Sequence, residues 1–127
     1  MRKILSVFIL IMAFSLHAQA EITFYGMKAE SWNKFNKDNK LLYVQGLFDG
    51  LAVSGCKFHE VEISTDLSIY QYVNAIDKFY SDYRNSLIPA LFVLKVITLE
   101  VNGASKDVIE VEVINYRKQF SKFMKEK

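Results

Sequence analysis

The pair most readily drawn as chemistry is Cys56 and His59, a thiol and an imidazole three residues apart. Such a pair is the nucleophile and base of covalent catalysis when a third group orients the imidazole. It would also supply two of the three or four ligands that a zinc site needs. The chain has one cysteine and two histidines, and His17 lies in the N-terminal apolar segment described below. Neither set can therefore be completed from His and Cys, and no orienting third group is identifiable. Cys56 reads instead as a buried free thiol or, in an oxidising compartment, an intermolecular link. There is no Gly-rich phosphate loop, nucleophile-elbow serine or EF-hand spacing. Two carboxylates, Asp49 and Asp82, fall outside ordinary surface contexts, but nothing in the sequence brings them together as the acid pair of glycosidic chemistry. The residue types propose no catalytic residue, no metal ligand and no cofactor.

What they do propose is a polar group built into a core. Leu41 to Cys56 (LLYVQGLFDGLAVSGC) is too long an apolar run for a typical strand and reads as a buried helix. Gly46, Gly50 and Ser54 recur at every fourth residue, a smooth strip along which a second backbone could approach. Each glycine costs about 1 kcal/mol of helix propensity relative to alanine, so close packing is expected to compensate. Asp49 lies beside that strip among Leu47, Phe48 and Leu51, where a carboxylate needs partners. Tyr43, Asp49, Tyr80, Asp82, Arg84 and Asn85 are the candidate constellation. Arg84, at the end of a later helix, has the fork to bind Asp49 bidentately. The alternative is that Asp82 and Arg84 are solvated turn residues.

The elements that would position this constellation follow in chain order. Met1 to Ala20 has Arg2 and Lys3, an apolar run from Ile4 to Leu16, and the ending Ala18-Gln19-Ala20. That is the pattern of a secretory signal peptide cut after Ala20. The run is short for a bilayer span, which wants about 20 residues, so no stable membrane anchor is expected after cleavage. The chain carries 16 Lys plus Arg against 14 Asp plus Glu; removing Arg2 and Lys3 leaves 14 against 14. A neutral mature chain gives no reason to expect nucleic acid as a partner. The basic run Arg117, Lys118, Lys122, Lys125 and Lys127 reads as a solvated helix end. Residues 21–127, with one proline and no linker or repeat, form a single domain.

Helix signals divide that domain into about four main helices, an all-α compact bundle. Trp32 and Phe35 anchor a half-turn before Asn36-Lys37-Asp38-Asn39, where Asn36 or Asp38 is the N-cap of the first main helix. Lys57 to Asp66 is a connector in which Val61 and Ile63 allow a short extended piece. Ser68 with Gln71 makes a capping box, and Leu67 with Tyr72 a hydrophobic staple. Behind them Ile69, Tyr72, Val73, Ile76, Phe79, Tyr80 and Tyr83 form one apolar stripe, read as core. Pro89 opens a third helix that is apolar nearly all round, which places it centrally or against a partner subunit. Gly103 ends it as the residue beyond the C-cap, and Ser105 caps the last segment. There Ile109 to Val113 alternates like a strand, while Ile109, Val113, Tyr116, Phe120 and Phe123 step like a helix; the longer pattern and the cap favour helix.

Tyr43-Val-Gln-Gly46-Leu-Phe-Asp49-Gly50, followed by Phe79-Tyr80-Ser-Asp82-Tyr83-Arg84-Asn85 and the helix opening Ile88-Pro89-Ala90, resembles a family of small exported bacterial helical proteins. The pattern is similar to the immunity proteins of type VI secretion amidase effectors, over roughly Trp32 to Val101. The resemblance implies a periplasmic, non-catalytic homodimer that blocks a secreted peptidoglycan-cutting effector. This chain departs from many of those proteins in having no cysteine pair. The expected dimer face is the apolar helix Pro89 to Val101. The expected effector contact is the connector at Phe58, His59 and Glu60, because loops carry function. A second function class is a small-ligand or envelope-stress binding module, with the aromatic stripe lining an apolar pocket.

Overall fold

The computed structural model describes residues 26–54, 64 and 66–125. Regular structure among them is helical throughout: α1 (Ala29–Lys34), α2 (Lys37–Ser54), α3 (Ile69–Tyr80), a 3-10 turn (Tyr83–Asn85), α4 (Ala90–Val101) and α5 (Lys106–Lys125). The four longer helices are the expected all-α bundle. The signal segment and the connector residues Cys56, Phe58, His59 and Glu60 lie outside the described residues. Among the described residues no helix is long and apolar enough to cross a membrane.

Local chemistry sets the helix ends. The Asn39 amide donates to Asn36 Oδ1 at 2.9 Å, so Asn36 caps α2. At α3 the Gln71 amide donates to Ser68 Oγ (3.3 Å) while the Ser68 amide donates to Gln71 Oε1 (2.8 Å), a complete capping box. Pro89 occupies the N-cap of α4 and offers no side-chain acceptor. A distant segment supplies a main-chain acceptor instead: the Ala90 amide donates to the Met27 carbonyl at 2.7 Å. Gly103, at φ +77°, lets the chain leave α4 through the left-handed region. Its amide donates to the Glu100 carbonyl and that of Ala104 to the Leu99 carbonyl, the two bonds of a Schellman ending. Ser105 Oγ then accepts from the Val108 amide at 3.4 Å, and α5 runs on as helix through residues 109–113.

α4 is the axis of the packing. α3 and α5 both lie against it, and α2 covers α3. Val93, Leu94, Val96 and Ile97 are buried within the chain itself, so α4 is apolar all round because it is central. Of its two expected placements this is the central one, and these residues are not an open dimer face. α5 turns Val113, Tyr116 and Phe120 inward, and the Phe92 ring meets those of Tyr116 and Phe120 edge-on at 5.2 and 4.9 Å. On the other side Trp32 is fully buried against Tyr43 and Tyr80.

Candidate functional site

The first correction concerns α2. Val44 is fully buried and Leu41, Leu47 and Phe48 pack against the core, so the opposite face carries Gly46, Asp49 and Gly50 into solvent. Among the described residues nothing lies within 4 Å of a Cβ placed on Gly46 or Gly50, so the strip is not a close-packing surface there. Asp49 is exposed, and no hydrogen bond or ion pair joins it to another described residue. It needs no buried partner, and Arg84 is not its partner.

Arg84 closes instead on Asp82, two residues away. Its Nε lies 2.9 and 3.0 Å from the two carboxylate oxygens, its Nη2 2.6 Å from Oδ2, and its amide donates to Oδ1 at 3.0 Å. The interior role falls to Arg117 of α5. Its Nη2 donates to Asp82 Oδ2 (3.1 Å) and its Nε to Asn85 Oδ1 (2.9 Å). Asn85 is buried and also donates from Nδ2 to the Phe79 carbonyl at 2.8 Å, the carbonyl left open at the end of α3. The Arg84 hydrogen bonds, more than Arg117, hold the Asp82 carboxyl down at about 2.

Of the six constellation residues, Asp82, Arg84 and Asn85 therefore come together, and Asp49 does not join them. Tyr43 and Tyr80 belong to a second set. Tyr80 donates its hydroxyl to the Ile88 carbonyl at 2.7 Å, and Tyr43 accepts from the Met27 amide at 3.3 Å. Burial pushes both phenols above their ordinary range. Phe79 is partly buried beside the Asp82 group.

The second correction is Tyr83. The apolar stripe of α3 extrapolates to a buried Tyr83, yet this side chain is 82 % exposed. α3 stops at Tyr80, and the 3-10 turn that follows has three residues per turn rather than 3.6, so the stripe loses phase. The result is an aromatic side chain held out on a pinned turn. The Asn85 amide donates to Asp82 O, that of Ser86 to Tyr83 O, and that of Ala29 to Ser86 O.

Comparison with family models, with curated proteins and with solved structures finds no match for this chain. The site is therefore read from its own geometry.

Beside the turn, α3 and α5 diverge over α4 and leave a groove of about 650 Å³. Val96 and Ile97 form its floor, with Phe79 on one wall and Ile109 and Val113 on the other. Asp82, Arg84, Asn85 and Arg117 close one end. Of the aromatic stripe, Phe79 lines it, while Tyr72, Val73, Ile76 and Tyr80 are core.

Sequence reasoning missed Arg117 by grouping it with the solvated basic run. The signal was its place next to Tyr116 and four residues after Val113, on the flank of the inward stripe. It also missed a brace across α1, α2 and α3, where Trp32 Nε1 and Lys40 Nζ both donate to Asp77 Oδ1 at 2.7 Å.

Proposed function

We propose that this chain is an exported, non-catalytic binding protein that inhibits a secreted cell-wall-degrading effector, and that it grips its target with the turn carrying Tyr83 and Arg84. The observation that carries the contact is the exposure of Tyr83, 82 %, on a turn whose backbone and flanking side chains are all tied down. Tyrosine and arginine are the side-chain types that dominate protein interfaces. A turn already ordered before binding loses little entropy on docking. The class of target follows the resemblance carried by Tyr43, Gly46, Asp49, Gly50 and the Phe79–Asn85 segment.

The test is periplasmic co-expression with any small secreted protein found encoded beside this chain. Growth should be rescued by the exported form and not by one lacking residues 1–20. Tyr83→Ala should weaken effector binding by about thirtyfold, the loss of a hot-spot anchor worth about 2 kcal/mol. Toxicity without rescue would remove the inhibitor reading for that pair. Rescue with Tyr83→Ala binding as tightly as wild type would move the contact elsewhere, with the connector at Phe58, His59 and Glu60 next in line.

A further inference from the structure

The groove beside the turn has a composition that a purely structural cleft does not need. Its volume, about 650 Å³, lies within the range of small-molecule sites. Its floor and walls are aliphatic and aromatic, while one end carries Lys78, Arg84 and Arg117 against Asp82 and Glu110, three cations to two carboxylates. We propose that the groove binds a single-chain anionic amphiphile, a carboxylate held at the Arg84–Arg117 end with its alkyl tail laid over Val96 and Ile97.

The argument rests on what the two guanidinium groups have left to give. Asp82 is saturated, since both its oxygens accept from Arg84 and Oδ2 also accepts from Arg117. Each guanidinium has five N–H donors. Arg84 engages Nε and Nη2, and Arg117 engages Nε and Nη2, so Nη1 of each has no acceptor among the described residues. With Lys78 and Glu110 counted, three cations face two carboxylates at this end, and the one positive charge left over is what an added carboxylate would neutralise, by the paired hydrogen bonds arginine makes best. Arg117 is the better placed of the two: its side chain is only 25 % exposed and Asn85 fixes its orientation, so little rotamer freedom is lost on binding. The aliphatic floor then selects a carboxylate that carries a tail over one that does not. At the far end Gln71, Glu100 and Lys106 return the groove to water. Binding of the amphiphile does not depend on effector inhibition, since its titration contains no effector.

Calorimetric titration of the purified full-length exported chain with decanoate tests it, with decan-1-ol and decyltrimethylammonium as probes of the same tail without the anion. Decanoate should bind at one site, the alcohol about tenfold more weakly and the cation not measurably. Arg84→Gln, a change at an exposed side chain, should weaken decanoate by about tenfold and leave the alcohol unchanged. Ala75→Phe, which fills the groove, should abolish binding of both; thermal unfolding checks that it folds, and Arg84→Gln carries the test if it does not. The proposal is overturned if decanoate does not bind, if all three probes bind alike, or if Arg84→Gln is without effect. It is equally overturned if a folded Ala75→Phe variant loses effector binding while wild type ignores decanoate, because the groove then belongs to a protein partner.

Discussion

Asp77 and Asp82 sit five residues apart at one end of α3, carry the same group and each collect two cationic or N–H partners, yet they hold different things. Asp77 offers one oxygen to Trp32 and Lys40, which come from 45 and 37 residues away and belong to α1 and α2. Lys40 is 15 % exposed and lies 5.2 Å over the Trp32 ring, so cation and indole stack behind a carboxylate that itself stays in contact with solvent. Asp82 spends most of its capacity on Arg84, two residues on, and takes one bond from Arg117 across the groove. The seam at Asp77 joins helices and leaves little chemistry to offer. The group at Asp82 shapes a turn and keeps donors free toward a cavity. The same carboxylate thus serves architecture where both partners come from other helices, and presentation where the chief partner is two residues away on an exposed turn.

Breaking the Asp77 side should cost most. Trp32→Ala removes a fully buried indole together with its bond to Asp77, and an apparent loss of about 3–5 kcal/mol is expected in denaturant unfolding. A loss under about 1 kcal/mol would show that the seam is not a core element. On the Asp82 side, Asn85→Ala should cost about 1–3 kcal/mol, because the Phe79 carbonyl and Arg117 Nε both lose their partner. If it equals or exceeds the tryptophan change, the two regions do not differ as described.

The smallest effect is a dependence on pH. The Asp82 carboxyl is lowered from 3.8 to about 2 in the folded state, chiefly by Arg84, so its contribution to stability is complete above about pH 4 and is lost as pH falls through about 2. The side chain is in contact with solvent, so the loss should be shallow and further reduced by salt. Thermal unfolding of wild type and Asp82→Asn between pH 4 and 2 should show the asparagine variant with the flatter slope. Parallel slopes would mean that Arg84 does not discriminate the charged carboxylate.

The parts of this fold that were legible in the sequence are those whose signals are local. Asn36, the Ser68–Gln71 box, Gly103 and Ser105 each act within a few residues, and all four mark the ends they were expected to mark. The long stripe of α5 likewise outweighed the short alternation at residues 109–113, since a helix of 20 residues averages over many positions. α2 was harder, because Leu41, Leu42, Tyr43, Val44, Leu47 and Phe48 are apolar on every side and fix no rotation. On such a helix a glycine strip points to the inward face, yet Val44 marks that face and the glycines lie opposite. In the candidate site, the motif residues Asp82, Arg84 and Asn85 were found, but their partner was not. Arg117 lies 35 residues beyond Asp82, and pairing over that span leaves no trace in spacing. Tyr83 differs for another reason: periodicity extends a helix until something ends it, and here the Phe79 carbonyl accepts from the Asn85 side chain instead of from a further helical turn.

The left-handed turn at Gly103 has a consequence for how the chain closes. α4 and α5 are joined through residues 102–105 alone, with both of the turn's fixing signals inside that span. Trp32 and Asp77 must close a loop of 45 residues. On the logarithmic scaling of loop closure the longer one costs roughly 2 kcal/mol more in chain entropy. Chain statistics therefore favour the C-terminal pair of helices as the first stable contact, and the tryptophan seam as one that forms on a surface already built.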